Sequence, residues 1–217
     1  CYTERPLYVN PHSARFGSII RVSKGPGDSP EALGSGLPAM NSGGRYVAYA
    51  TRVTFESGGS DGGDIYLFDR ITGATRHVAP CGTGEEGLGA WRNGSSSIGI
   101  RHGKVHVAFQ SSAYKHLTRE TGWLPDQVEI LCKEMPGGVV THISKDFEGL
   151  GFTGADPAIT PDSRYVAFDS FGDFRATGDP GAFDVYVFDR ELRSMDRATS
   201  LLDSVVGQKG VFNAGRA

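Results

Sequence analysis

The chain has 217 residues, a formal net charge of −3, 38% hydrophobic residues and 22% charged residues. This composition is typical of a folded globular protein, and the weak negative charge argues against nucleic acid as a partner, because nucleic acid favours a basic face. No run of about 18 apolar residues is present, so no transmembrane helix is predicted, and no signal-peptide pattern opens the sequence.

The first elements are short β-branched and aromatic runs separated by residues that favour turns. Residues 1–30 contain one such run, Ile19 to Val22, and have the character of the trailing half of a repeat. The 31 glycines of the chain favour many tight turns over long helices. Residues 31–81 then predict four strands, at 38–40, 45–50, 65–68 and 75–78.

The same four-strand pattern occurs twice more. Residues 82–145 predict strands at 97–100, 105–109, 128–131 and 139–143, and residues 146–202 predict them at 157–159, 165–168, 185–188 and 196–199. Residues 203–217 begin a further repeat. A Val-Ala-aromatic triplet starts at Val47, Val107 and Val166, so the period is about 60 residues.

Four short antiparallel strands repeated at this period predict an all-β protein, a β-propeller of four-stranded blades. The chain holds about three full blades plus half-blades at both ends. Three arrangements follow: a piece of a larger ring, two copies that form one ring of about seven blades, or a four-bladed ring closed by the two half-blades. An open ring would expose apolar blade faces, so self-association or a protein partner is expected.

Turn lengths predict where a binding face lies. The first-to-second and third-to-fourth connections are short, whereas the second-to-third connections are about 13 to 17 residues long. All of the long loops therefore converge on one face, which is where scaffold proteins usually bind.

The motifs of the third repeat resemble those of the TolB-type, WD40-like Pro-Asp repeat β-propellers. They are Pro157-x-Ile159-x-Pro161-Asp162-x-Arg164-Tyr165-Val166-Ala167-Phe168 and Asp184-Val185-Tyr186-Val187-Phe188-Asp189. The resemblance implies a periplasmic, secreted or cell-surface scaffold, or an accessory domain beside a peptidase. The second repeat departs from the pattern, because Cys132-Lys133 stand where Asp-Arg is expected.

The acidic and aromatic loop residues are the candidate binding groups. Asp61, Asp64, Asp179 and Asp184 could supply carboxylate oxygens to calcium, although ordinary acidic turn residues are the alternative and neither loop matches the twelve-residue calcium loop. Trp123, Tyr114, Phe171 and Phe55 are the candidate partner-binding side chains. Phe55, Leu117 and Phe174 occupy similar places after the second strand, which also fits a structural plug.

Three cysteines raise two further hypotheses. Cys81 and Cys132 could bridge neighbouring repeats in an oxidising compartment, with free half-buried thiols as the alternative. Cys1 opens the chain, as a lipidated cysteine opens a processed bacterial lipoprotein, or the chain was cut there.

No catalytic constellation is recognisable. The sequence lacks HExxH, G-x-S-x-G and phosphate-loop motifs, and His12, His77, His116 and His142 form no obvious spaced set. Asp69-Arg70 and Asp189-Arg190 recur, and they are interpreted as a turn-capping Asp followed by a locally paired Arg. We therefore expect a non-catalytic scaffold without a required cofactor; a carbohydrate-binding propeller and an accessory propeller of a hydrolase are the alternatives.

Overall fold

The computed structural model describes residues 19–23, 35–51, 63–79, 93–112, 127–145, 151–172, 174 and 183–199. Within these ranges the protein is all-β, with twelve strands in three four-stranded antiparallel sheets. The predicted all-β class and the grouping of strands by four are confirmed. No helix in the described ranges is long and apolar enough to cross a membrane.

Each sheet is a meander in which consecutive strands pair. The first sheet consists of β1 (Ser35–Met40), β2 (Tyr46–Thr51), β3 (Asp64–Asp69) and β4 (Thr75–Ala79). The second consists of β5 (Asn93–Arg101), β6 (Lys104–Ser111), β7 (Glu129–Met135) and β8 (Val140–His142). The third consists of β9 (Gly154–Ile159), β10 (Tyr165–Ser170), β11 (Asp184–Asp189) and β12 (Ser194–Arg197).

The three sheets stack face to face in chain order. One apolar cluster joins the first and second sheets, with Ile65 and Leu67 packed against Val107 and Phe109. A second cluster joins the second and third sheets, with Ile130 and Cys132 packed against Phe168 and Tyr186. Because successive side chains on a strand point to opposite faces, the second sheet contributes to both clusters and is covered on both faces.

All three sheets use the same strand register. Ala48 pairs with Leu67, Ala108 with Cys132, and Ala167 with Val187. We call the face that carries these residues the trailing face, because in the first and second sheets it packs against the next sheet. The opposite, leading face carries the large residues; in the first sheet these are Val47, Tyr49, Tyr66 and Phe68.

This register corrects the alignment of the second repeat. The alignment of the repeat motifs made Gln127 equivalent to Asp64, and Cys132-Lys133 equivalent to Asp69-Arg70. In the structure Ser111 pairs with Glu129 as Thr51 pairs with Asp64, so the strand begins two residues later than predicted by that alignment. Glu134, which pairs with His106, then takes the place of Asp69, and the acidic residue that seemed to be missing is present.

The predicted strand from Ile19 to Val22 is wrong. Residues 19–23 are not in a strand, yet Ile20 and Val22 pack on the leading face of the first sheet. Tyr49 Oη donates a hydrogen bond to the Val22 carbonyl oxygen at 3.4 Å. Ile20 and Val22 therefore cover a sheet without joining one. The rest of the predicted half-blade 1–30, and the half-blade 203–217, lie outside the described residues.

The first strands bring neighbouring sheets together. β5 packs against β1 and β2 on one side and against β9 on the other. Ile100 N donates to the Pro161 carbonyl oxygen at 2.8 Å, and Ile159 N donates to Ser97 Oγ at 2.8 Å. Direct contact between backbones requires a small residue, and a Cβ at Gly99 would lie 2.5 Å from the Thr160 carbonyl oxygen and would also meet Ser163 Oγ.

Replacing Gly99 with Ala should therefore lower the free energy of unfolding by about 2 kcal/mol, because the added methyl group forces β5 and the β9–β10 turn apart. Gly36→Ala is the matched control: Gly36 is also on a first strand, but a Cβ there meets nothing within 4 Å. Urea unfolding of both variants checks this. Equal stability of the two variants would contradict the close packing of the second and third sheets.

Candidate functional site

The strand ends define two edges of the stack. The long-loop edge is where the second strand of each sheet ends and the third begins: Thr51 with Asp64, Ser111 with Glu129, and Ser170 with Asp184. The short-turn edge is the opposite one, where Arg45 and Asp69 lie in the first sheet. The candidate groups are considered edge by edge.

At the long-loop edge, each sheet pairs a hydroxyl residue with an acid and adds a base from its fourth strand. We call this the hydroxyl–acid–base trio. In the first sheet, Thr51 pairs with Asp64, whose Oδ2 lies 3.2 Å from His77 Nε2. Tyr66 Oη donates to the same Asp64 oxygen at 3.3 Å, and its ring stacks on His77 at 5.0 Å between centroids.

The trio of the second sheet is the most deeply buried. Ser111 and Glu129 are fully buried, and His142 is 3% exposed. Glu129 Oε2 contacts His142 Nε2. The backbone of the chain closes over the carboxylate: a Cβ on Gly151 would lie 2.5 Å from Glu129 Oε1. A residue larger than glycine at position 151 would therefore collide with the acid.

The third sheet replaces the histidine with an arginine. Arg197 Nη1 donates to Asp184 Oδ2 at 3.1 Å, and Thr199 Oγ1 donates to Asp184 Oδ1 at 2.6 Å. Ser170 Oγ donates to the Thr153 carbonyl oxygen at 2.6 Å and accepts from Gly172 N at 3.0 Å. The hydroxyl residue thus anchors the backbone where the chain enters the long loop.

Sequence reasoning missed this set, although a signal exists. The base follows the acid by thirteen residues in each sheet, at positions 64 and 77, 129 and 142, and 184 and 197. His77 and His142 appeared unrelated because the second repeat was aligned two residues out of register, and because Arg197 is not a histidine. The spacing is constant because a third strand, a turn and a fourth strand separate the two groups.

The trio contains residue types found in hydrolytic triads, but its placement indicates a structural role. The second-sheet members are inaccessible to a substrate, and Arg197 cannot act as a general base because a guanidinium stays protonated. Each acid lies within 4 Å of the base of its own sheet, so the two polar side chains share one position at the strand end. The arrangement therefore fastens each fourth strand to the root of its long loop.

The short-turn edge confirms the structural interpretation of the recurring Asp-Arg pairs. Arg45 Nη2 donates to Asp69 Oδ2 at 2.7 Å and Arg45 Nε to Oδ1 at 3.0 Å, while Ile71 N donates to Asp69 Oδ1 at 2.9 Å. The arginine hydrogen bonds lower the pKa of Asp69 to about 2. Arg70 Nη1 donates to the Gly44 carbonyl oxygen at 2.7 Å. The Asp caps the turn, and the Arg pairs locally.

The third sheet repeats this edge almost atom for atom. Arg164 Nη2 donates to Asp189 Oδ2 at 2.8 Å, Asp189 Oδ1 accepts from Glu191 N at 2.8 Å, and Arg190 Nη1 donates to the Ser163 carbonyl oxygen at 2.6 Å. The side-chain hydrogen bond from Arg164 lowers the pKa of Asp189. Because these side chains already make hydrogen bonds within their own turns, they are poor candidates for ligand binding.

At the short-turn edge of the second sheet, a Lys–Glu pair replaces the Arg–Asp pair. Lys104 Nζ donates to Glu134 Oε1 at 2.6 Å, and this hydrogen bond lowers the pKa of Glu134. His106 occupies the register position of Tyr46 and Tyr165, pairing with an acid as they do. It is 5% exposed, and its burial lowers its pKa to about 4, with Arg190 as a further cause.

Of the four predicted calcium ligands, Asp64 and Asp184 are described, and they belong to the two different predicted loop sites. Asp64 and Asp184 belong to different sheets, and each is engaged by the base of its own trio. Asp61 and Asp179 lie outside the described residues. Among the residues that the structure describes, no group of three or more His, Cys, Asp or Glu side chains is placed to hold a metal ion. Calcium binding by the four aspartates stays a prediction.

Of the predicted partner-binding aromatics, Phe171 is described. It lies at the long-loop edge of the third sheet, is 56% exposed, and packs on Phe183 with the ring centroids 4.4 Å apart. Phe174 is buried in the cluster between the second and third sheets, as expected of a structural plug. Trp123, Tyr114, Phe55 and Leu117 lie outside the described residues.

Cys132 is a free, buried thiol, so the predicted disulfide with Cys81 is not formed by Cys132 in this structure. Its side chain lies on the trailing face of the second sheet, in the apolar cluster shared with the third sheet. Burial raises the pKa of the Cys132 thiol to about 11, which suppresses its reactivity. Cys81 and Cys1 lie outside the described residues.

In comparisons with known proteins, no family model matches the chain and no curated sequence is significantly similar. The likeness to Pro-Asp repeat propellers therefore rests on the motif residues themselves.

His142→Ala should lower the free energy of unfolding by about 1–3 kcal/mol, because it leaves the carboxyl group of Glu129 buried without the side chain that it contacts. Thr141→Ala, at an exposed neighbour on β8, is the control. Urea denaturation measures both. A loss for His142→Ala no larger than that for Thr141→Ala would show that the trio does not stabilise the sheet.

The free energy of unfolding should decrease in acid because of His106 in the second sheet. Because the folded pKa of about 4 lies below the ordinary value of 6.5, the stability held by neutral His106 is complete above pH 6.5 and is lost as the pH falls toward 4. The charged groups around it are Arg101, Lys104, Glu134 and Arg190.

The matched variant is His106→Tyr, which installs the residue that the other two sheets carry at this position. Unfolding midpoints measured in urea from pH 8 to pH 4 should separate the two proteins progressively below pH 6.5, with the variant less sensitive to acid. Parallel curves for the two proteins would rule out His106 as a source of the acid sensitivity.

Proposed function

We propose that the three sheets are consecutive blades of a β-propeller of the TolB-like, Pro-Asp repeat type. Three observations support this: each sheet is a four-stranded meander, the sheets stack in chain order with one register, and the first strands lie next to one another. Stacking around a common inner strand is the arrangement that a propeller requires.

We further propose that the protein is a non-catalytic scaffold that binds a protein partner through its long-loop face or its open blade edges, in the periplasm or at the cell surface. The observation that carries this proposal is that the acidic and basic side chains already have partners within their own sheets. The acids and bases of the trios and turns are committed to ion pairs and turn caps, whereas the Phe171 ring stands exposed at the long-loop edge.

Phe171 has the properties of an interface anchor. Phe183 supports one side of its ring, so its orientation is held before a partner arrives and little side-chain entropy is lost on binding. It also lies one residue from Ser170, whose hydroxyl fastens the loop root. An aromatic side chain held in place by its neighbours is the type of residue that dominates protein interfaces.

An exposed aromatic ring also suits sugar stacking, so a carbohydrate-binding propeller is the second candidate. A glycan array distinguishes the two: binding of a sugar that is lost in Phe171→Ala would replace the protein-partner proposal. The alternative of an accessory propeller beside a hydrolase keeps the same scaffold role.

The protein-partner proposal is tested by affinity capture from periplasmic and secreted extracts of the source organism. Phe171→Ala should reduce recovery of the specific partner about tenfold, because anchors of this type contribute a kilocalorie per mole or more to binding. Leu192→Ala is the control, since Leu192 is 71% exposed at the opposite edge. Both variants should unfold at the wild-type temperature. Equal recovery by the two variants would contradict a role for the long-loop edge.

A further inference from the structure

The trailing face of the third sheet is more exposed than that of the first sheet. Across the first sheet, one row of paired residues runs Ala39, Ala48, Leu67, Arg76, and in the third sheet the same row runs Ala158, Ala167, Val187, Asp196. Ala48 and Leu67 are 0% and 3% exposed beneath the second sheet. Ala167 and Val187 are only half-buried, and Ala158 is exposed.

The molecule itself shows what covers such a face. In both stacked interfaces, the occupant is the leading face of a four-stranded sheet, with Val107 and Phe109 on the first sheet and Val166 and Phe168 on the second. The chain carries one more leading face with these residue types, that of the first sheet, where Val47 and Tyr49 hold the same positions.

The leading side of the first sheet is also open, at its first strand. Leu37 and Met40 of β1 are 52% and 58% exposed, whereas Ile98, which pairs with Val107 as Met40 pairs with Val47, is 6% exposed between sheets. Ile20 and Val22 cover the neighbouring β2 and β3 residues, but residues 19–23 form no strand and Ile19 is 81% exposed.

The two open surfaces also match in their polar groups. Between the second and third sheets, Asp156 N donates to Gln110 Oε1 at 3.4 Å, and Asp156 has a positive φ of 46°. On the third sheet, Asp169 occupies the position that Gln110 occupies on the second. On the first sheet, Leu37 lies at the same bulge of the first strand as Asp156 and has a similar positive φ of 53°. Asp169 thus corresponds to the acceptor of this hydrogen bond, and Leu37 corresponds to its backbone donor.

From this match we propose that the third sheet's trailing face binds the first sheet's leading side in a second copy of the chain, head to tail, displacing residues 19–23. This deepens the proposed scaffold function and rests on it, because it names the partner of the open blade edges. A head-to-tail contact of this kind closes into a ring when the rotation between copies allows it. The described parts of two copies would then contribute six sheets to the ring, within the range of known propellers.

The oligomeric state of the purified 217-residue chain tests the proposal by sedimentation velocity over a range of concentrations. The wild type should associate, and Val187→Lys should raise the dissociation constant at least about a hundredfold by placing a charge in the contact. Ala158→Lys places a charge on the same face at an exposed position, where it should not disturb folding. It should therefore weaken association even if Val187→Lys fails to fold. Leu192→Lys, at the short-turn edge, should associate like the wild type.

Cysteine cross-linking identifies the surfaces. A mixture of Leu37→Cys and Asp169→Cys chains should give a disulfide between positions 37 and 169, located by mass spectrometry of the peptides. A disulfide joining two copies of position 169 would overturn the head-to-tail arrangement, as would a monomeric wild type or association unaffected by both lysine variants.

The outcome is separable from that for the long-loop edge. Monomeric Val187→Lys should still recover the partner that depends on Phe171. If it does, the scaffold proposal stands whether or not the copies associate; if Phe171→Ala has no effect while Val187→Lys abolishes association, the scaffold acts through its open blade edges alone.

Discussion

Face-to-face burial of successive sheets is the constraint on which the rest of this structure depends. A four-stranded sheet with apolar residues on both faces cannot be stable alone, and here each stacked interface joins a small trailing row to a large leading row. This pairing of small with large residues explains why an alanine stands between a valine and an aromatic residue on the second strand of each sheet. It also explains Gly99, which lets the first strands of two sheets approach.

Close stacking creates a problem at the strand ends, because backbone and side-chain polar groups there lose access to water. The protein meets it with ion pairs inside each sheet: trios at the long-loop edge and Arg-Asp or Lys-Glu pairs at the short-turn edge. Both edges repeat in all three sheets with changes of residue type. The acids and bases at the strand ends are therefore engaged within their own sheets.

Much of the fold could be predicted from one sequence because strand period, turn residues and repeat length are local signals. Twelve strands were placed within a few residues, and Asp69 and Asp189 were recognised as turn caps. The second repeat was misaligned by two residues because Glu129 and Glu134 replace the expected aspartates and no motif marks the register. Ile19 to Val22 was assigned to a strand because β-branched residues suit a strand and a packed cover equally well.

The sequence by itself determined the all-β class, the grouping of strands by four and the edge at which the second strand leads into the third, since these follow from periodicity and loop length. Only the tertiary structure decided which residues meet: Glu129 with His142, His106 among the charges of its edge, and Cys132 between sheets rather than in a bridge. Such pairings depend on strand register and on which face a residue takes. A shift of one residue reverses that face, and no local pattern records it.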